Sequence, residues 1–313
     1  MIDRLIDKIK ETGAPICIGL DPRLDLIPDP VKEKAFATHG LTLKGGAEAM
    51  MEFNKNIIDA ISDIVPSVKI QVAMYEEMGI PGMEAFLDTV NYAREKGLIV
   101  IGDIKRGDIG STSAAYSNAH LGRAVLEFKG ERAELPVFDE DFATVNPYMG
   151  SDGIKEFMRN CKSFDRGLFV LLKTSNPSSG EFQDILTDGV PVYEKVAAKI
   201  GEWGEELMGR NGYNAVGAVV GATYPEIGRK LRKQLPHTYF LVPGYGAQGA
   251  AAEELGEYFN EDGLGAIINS SRGIIAAYRK DAYASFGEAD YTGAARQAAL
   301  DMIEDLQKNA LKK

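Results

Sequence analysis

Short apolar runs recur along the whole chain, and each gives way to a stretch of helical periodicity. The runs are ICIGLD (16–21), SVKIQVAM (67–74), GLIVIGD (97–103), FATVNP (142–147), GLFVLLK (167–173), AVGAVVG (215–221), TYFLVPG (238–244) and GAIINSS (265–271). Between them, segments such as 82–97, 151–161, 191–209 and 224–235 carry apolar residues three and four apart, the mark of amphipathic helices. Eight strand–helix repeats without a sharp break in composition predict an α/β chain folded as one (β/α)₈ TIM barrel over residues 1–313. A doubly wound sheet is the competing fold, and it usually uses fewer strands. Three stretches exceed a minimal barrel. Residues 22–50 follow the first strand, 128–141 precede the fourth, and 176–190 follow the fifth. Loops after strands open on the C-terminal face, where barrel active sites lie, so the first and third are placed to cover a ligand. The stretch 22–50 nevertheless reads first as a surface insertion.

Composition narrows the function classes. The chain carries 35 Lys and Arg against 46 Asp and Glu, a formal net charge of −11. That balance argues against a nucleic-acid partner, because counterion release needs a basic face. An anionic small molecule still fits, provided a few cations are concentrated locally. Cys17 and Cys161 show no CxxC spacing, which suits a reducing compartment. His39, His120 and His237 sit in no HExxH or HxH pattern, which disfavours a histidine zinc site or a Ser-His-Asp triad. No metal or other cofactor is expected. The start, MIDRLIDKIK, reads as an amphipathic helix rather than a signal peptide. No apolar run approaches membrane-span length, so no membrane partner and a cytoplasmic location are expected.

The chemistry gathers at strand ends. In GLIVIGDIKRGD, Ile99, Ile101, Asp103 and Lys105 share one parity, which aims Asp103 and Lys105 at the barrel mouth. Asp108 follows where the chain turns into the next helix. In SVKIQVAM, Val68, Ile70 and Val72 take the outward parity, and Lys69, Gln71 and Ala73 the inward one. A lysine inside such a strand is costly unless carboxylates meet it, and Asp103 on the neighbouring strand is a sensible partner. Lys69, Asp103, Lys105 and Asp108 can then form an alternating array of zero net charge, each ion keeping its neighbours ionised. Such an array could serve as a buried ion-pair network alone, but its place at the functional face favours chemistry.

Other strand ends add binding groups. Asp21 suits either a sugar hydroxyl or the cap of the turn before Pro22, while Cys17 reads as a small core residue. Ser175, Asn176 and Ser178 offer neutral groups able to read an amide or heterocycle edge, or simply form an Asn-Pro turn. Lys173 sits where Schiff-base lysines occur, but a structural salt bridge is the better reading. VPGYGAQGA (242–250) and NSSRGII (269–275) pair glycine-rich turns with Arg272 at the two strands that often hold phosphate in barrel enzymes.

The run Asp103-Ile-Lys105-Arg-Gly-Asp108 matches the DxKxxD motif of orotidine 5′-phosphate (OMP) decarboxylases. With GLDPR (19–23), FNKNIID (53–59), KTSNPSS (173–179), VPGYGAQG (242–249) and NSSRG (269–273), residues 16–278 resemble the bacterial type 2 branch of that family. The resemblance implies a carboxy-lyase converting OMP to UMP and CO₂ in pyrimidine biosynthesis. Lys69, Asp103, Lys105 and Asp108 correspond to its catalytic tetrad. It further implies a homodimer, with Asp108 and Thr112 entering the partner's site. Asp21 corresponds to the ribose aspartate, Ser175 to the pyrimidine-binding serine, and Gln248 and Arg272 to the phosphate ligands. DxKxxD alone is shared with magnesium-dependent sugar-phosphate lyases and decarboxylases. That enzyme, a Schiff-base aldolase and a non-catalytic nucleotide-binding barrel are the competing readings.

Overall fold

The computed structural model describes residues 1–246 and 251–311. Eight parallel strands close into a barrel: β1 (Ile16–Leu20), β2 (Ser67–Gln71), β3 (Ile99–Arg106), β4 (Phe142–Val145), β5 (Gly167–Lys173), β6 (Asn214–Val220), β7 (Thr238–Pro243) and β8 (Ala266–Ser270). Neighbours follow chain order, and β8 closes on β1 with Ile16 opposite Ile268. The eight apolar runs are these eight strands.

Strand parity divides the core in two. Ile16, Ile18, Leu20, Val68, Ile70 and Val100 face outward and pack beneath the helices. Cys17, Ile99, Ile101, Phe142, Phe169 and Tyr239 pack inside the barrel. Burial on both faces is why the strands read as nearly continuous apolar runs. Helix α1 (Ile2–Thr12) places Ile2, Leu5, Ile6 and Ile9 on one face, and all four are buried against that interior cluster at the N-terminal ends of the strands. The outer layer comprises α2 (Asp29–His39), α3 (Leu43–Ile61), α4 (Gly79–Glu95), α5 (Gly110–His120), α6 (Ser151–Phe164), α7 (Val192–Gly204), α8 (Pro225–Gln234) and α9 (Tyr291–Asp305). No helix of the described residues is long and apolar enough to cross a membrane.

The structure departs from the sequence expectation in three places. Strand β2 stops at Gln71, and Val72–Glu76 coils into a short helix. The Gln71 side chain caps that helix by accepting the Ala73 N–H at 3.5 Å, so strand parity does not extend to Val72 and Ala73. Residues 22–50 are not merely a surface insertion. They build α2 and begin α3, and Leu26, Ile27, Val31 and Ala35 are buried. Thr42 starts α3 by accepting the Gly45 N–H at 3.1 Å. The stretch before β4 begins earlier than position 128 and forms an exposed antiparallel hairpin, Ala124–Phe128 against Glu131–Leu135.

Candidate active site

A cleft of about 630 Å³ opens at the C-terminal ends of the strands. Its floor is an ion-pair chain. Lys69 on β2 donates to Asp103 on β3 at 2.8 Å and to Asp21, just past β1, at 3.3 Å. Asp103 also binds the Lys105 ammonium. The pairings that place these groups are regular: Gly19 opposite Lys69, and Gln71 opposite Asp103. Lys69 and Asp103 are buried, whereas the Lys105 side chain is 46% exposed and reaches into the cleft.

Two groups at this centre carry no role in the sequence reading. Gln71 donates to Asp103 Oδ2 at 2.9 Å, and Thr144 on β4 donates to Asp103 Oδ1 at 2.9 Å. Asp103 therefore accepts from Lys69, Gln71, Lys105 and Thr144, which satisfies both oxygens. Inward parity was the available signal for both residues, since neither type is unusual in a strand.

The electrostatics follow from burial and pairing. Burial opposes ionisation of Asp103, but the charges of Lys69 and Lys105 outweigh it and hold the carboxyl well below the usual carboxylate range. Burial likewise works against the Lys69 ammonium, yet Asp21 and Asp103 together push its pKa above the ordinary lysine value. The depressed Asp103 value stabilises the fold above about pH 4, and that contribution is lost as pH falls through the folded value. The raised Lys69 value acts below about pH 10, and its contribution is lost as pH rises through the folded value. At pH 7 both contributions are complete. Lys69→Met is expected to lower stability there by about 3 kcal/mol, because it strips a buried carboxylate of one counter-charge. Urea denaturation should show that loss shrinking in acid. A loss under about 1 kcal/mol at pH 7 would contradict the pairing.

The walls hold the remaining candidates. Ser175 and Asn176 line the cleft after β5, while Ser178 is exposed and does not. Ser175 fits because Gly221 directly follows β6: a Cβ there would lie 2.9 Å from Ser175 Cβ. The segment is pinned by Gln183, which accepts the Thr174 N–H at 3.0 Å and donates to Thr174 Oγ1 at 2.8 Å. Lys173 is buried and bonded to Asp184 at 2.7 Å, so it anchors this loop and does not enter the cleft. Cys17 is enclosed in the barrel, where burial pushes its thiol up to about 12, as befits a core residue. Arg272 lines the opposite wall after β8, joined by Ser271 and Arg23. Gln248 lies outside the described residues.

Asp108 and Thr112 do not join this centre within one chain. Asp108 lies between β3 and α5, with its carboxylate accepting the Ile109 N–H at 2.8 Å, and Thr112 is exposed on the first turn of α5. Neither lines the cleft. The charge array within one chain is thus Asp21–Lys69–Asp103–Lys105, extended by Asp21 beyond Lys69 and not by Asp108 beyond Lys105. The chain leaves β3 at Arg106, and the Asp108 carbonyl then lies against Gly153 in the first turn of α6.

A closed barrel with an ammonium aimed into its C-terminal mouth, opposite an arginine, defines an enzyme that works on an anionic ligand by charge. Comparison with known proteins narrows that class. The chain belongs to the orotidine 5′-phosphate decarboxylase / HUMPS family, whose model matches residues 14–285. The orotidine 5′-phosphate decarboxylase of Petrotoga mobilis is 42% identical over 311 residues, covering 98% of each chain. That of Clostridium acetobutylicum is 40% identical over 309 residues, covering 98% of this chain and 99% of its own. The solved structure of Leishmania donovani OMP decarboxylase matches with a TM-score of 0.73 at 29% identity, covering 100% of this chain and 99% of the other.

Proposed function

We propose that this chain is a carboxy-lyase that converts OMP to UMP and CO₂ in de novo pyrimidine biosynthesis in the cytoplasm. The observation that carries the reading is the Lys105 ammonium, tethered to Asp103 and presented to a cleft with Ser175 on one wall and Arg272 on the other. The family and its decarboxylase relatives support the same reaction.

The chemistry asks for what this site offers. When the C6–carboxylate bond breaks, its electron pair stays on C6 in an orbital in the ring plane, beyond reach of the ring π system. Stabilisation must come from a charge already in place. Lys105 faces the developing carbanion, gives it a proton, and leaves UMP and CO₂; water reprotonates the amine. Asp103 keeps Lys105 charged and aimed, and Lys69 balances Asp103. Asp21 takes a ribose hydroxyl, and Ser175 the pyrimidine edge. Arg272 and Gln248 grip the phosphate, which supplies binding energy remote from the reacting bond.

The active form is a homodimer in this reading, with Asp108 and Thr112 of each subunit completing the other's site. Their position outside their own cleft supports it, as do Ile109 and Tyr116, exposed on the same segment.

A magnesium-dependent lyase sharing the motif is the second reading. The donor set disfavours it: both Asp103 oxygens are already engaged, and two ammonium groups flank the carboxylate. Addition of OMP is expected to cause a steady loss of its absorbance, unchanged in excess EDTA. Loss of activity in EDTA with recovery on magnesium would replace the proposal by the lyase. UMP binding without any absorbance change would replace it by a non-catalytic barrel.

A further inference from the structure

We infer that Thr144 is a positioning residue whose single hydroxyl fixes the Asp103–Lys105 pair in its working geometry; this rests on the decarboxylase reading above. The argument begins with an irregularity in the barrel. Gly102 pairs with Ala143, and the next pairing joins Arg106 to Val145. Between those points β3 advances four positions and β4 only two. Asp103, Ile104 and Lys105 therefore bulge opposite one residue, Thr144. Bulges re-aim side chains and leave ladder groups without their regular partners.

The bulge has a strained backbone. Lys105 has φ of 45°, in the left-handed region that a long L side chain rarely adopts. That conformation turns the Lys105 ammonium back onto Asp103, two residues earlier. It also takes the Lys105 N–H out of the ladder. Thr144 Oγ1 captures this N–H at 3.0 Å and, at the same time, donates its own proton to Asp103 Oδ1 at 2.9 Å. One buried hydroxyl thus holds the backbone of the lysine and the side chain of the aspartate. Its donor and acceptor roles are complementary, so the two bonds do not compete. Thr144 meets the lysine only through its backbone, and its action on the reacting carbon is through Lys105.

Two substitutions separate this role from packing. Thr144→Val keeps shape and removes the hydroxyl, and Thr144→Ser keeps the hydroxyl and removes a methyl. In the full-length enzyme, Thr144→Val is expected to lower kcat about 10²-fold, as a misplaced catalytic group does, with KM for OMP little changed. Thr144→Ser should stay within about threefold of the wild type. A valine variant with wild-type kcat, equal losses in both variants, or a loss confined to KM overturns the inference. Crystal structures give a reading independent of turnover. Lys105 should leave the left-handed region in Thr144→Val and remain there in Thr144→Ser. If it stays left-handed in both, the hydroxyl does not hold it. Failure of the wild-type chain to decarboxylate OMP would remove the functional reading, and the crystal structures would then decide the clamp alone.

Discussion

Lys105→Ala is expected to reduce OMP turnover by about 10⁴-fold or more while UMP still binds. The size follows from two roles lost together. A preorganised charge facing a developing anion contributes about 10²–10³ in rate, and a positioned proton donor about 10²–10⁴. Binding should survive because the groups assigned to phosphate, ribose and base lie elsewhere: Arg272 after β8, Asp21 after β1 and Ser175 after β5. Asp103 would keep Lys69, Gln71 and Thr144, so the floor of the cleft should persist. Turnover is read by OMP absorbance and UMP affinity by calorimetry. A variant with kcat within about tenfold of the wild type would sink the assignment of Lys105. Joint loss of turnover and UMP binding would point instead to collapse of the cleft.

The fold was legible because it rests on a repeated local signal. Each strand had to be apolar on both faces, and helices such as α1 and α6 show a clear buried stripe. Parity also placed Lys69 and Asp103 correctly, since the β2–β3 ladder is regular from Ser67 opposite Ile99 to Gln71 opposite Asp103. It placed Lys105 for a reason that proved incomplete. Parity assumes an unbroken strand, and Lys105 reaches the cleft through a bulge with left-handed backbone. Gln71 and Thr144 escaped notice as site residues because a neutral inward side chain announces nothing until its partner is known. For the fourth member of the charged array, Asp108, strand parity has nothing to say, because it lies past the end of β3 at Arg106. Spacing keeps Asp108 close to Lys105 along the chain, yet it does not line the cleft of its own chain. The extent of the core role of 22–50 was hidden because helix α2 buries little along its length, chiefly Val31 and Ala35.

Mixing two inactive variants is expected to restore activity if the sites are shared between subunits. Alone, Lys105→Ala lacks the proton donor in both sites, and Asp108→Ala lacks the carboxylate that each subunit lends to the other. In a mixed dimer the defects segregate. The Lys105→Ala subunit receives the alanine from its partner, so that site carries both defects. The other subunit keeps its own Lys105 and receives an intact Asp108 of the partner subunit, so that site is whole. Random reassociation makes half of the dimers mixed, each with one intact site of two, and predicts recovery of about a quarter of the wild-type specific activity. The position of Asp108 on the segment after β3, outside the cleft of its own chain, is what motivates this test. If Asp108 served its own chain, both mixed sites would remain defective and the mixture would stay as inactive as its parents. Sedimentation shows that dimers form, and co-purification of an untagged variant with an affinity-tagged one shows that their subunits exchange. With exchange established, absent recovery would exclude Asp108 from the site across the interface.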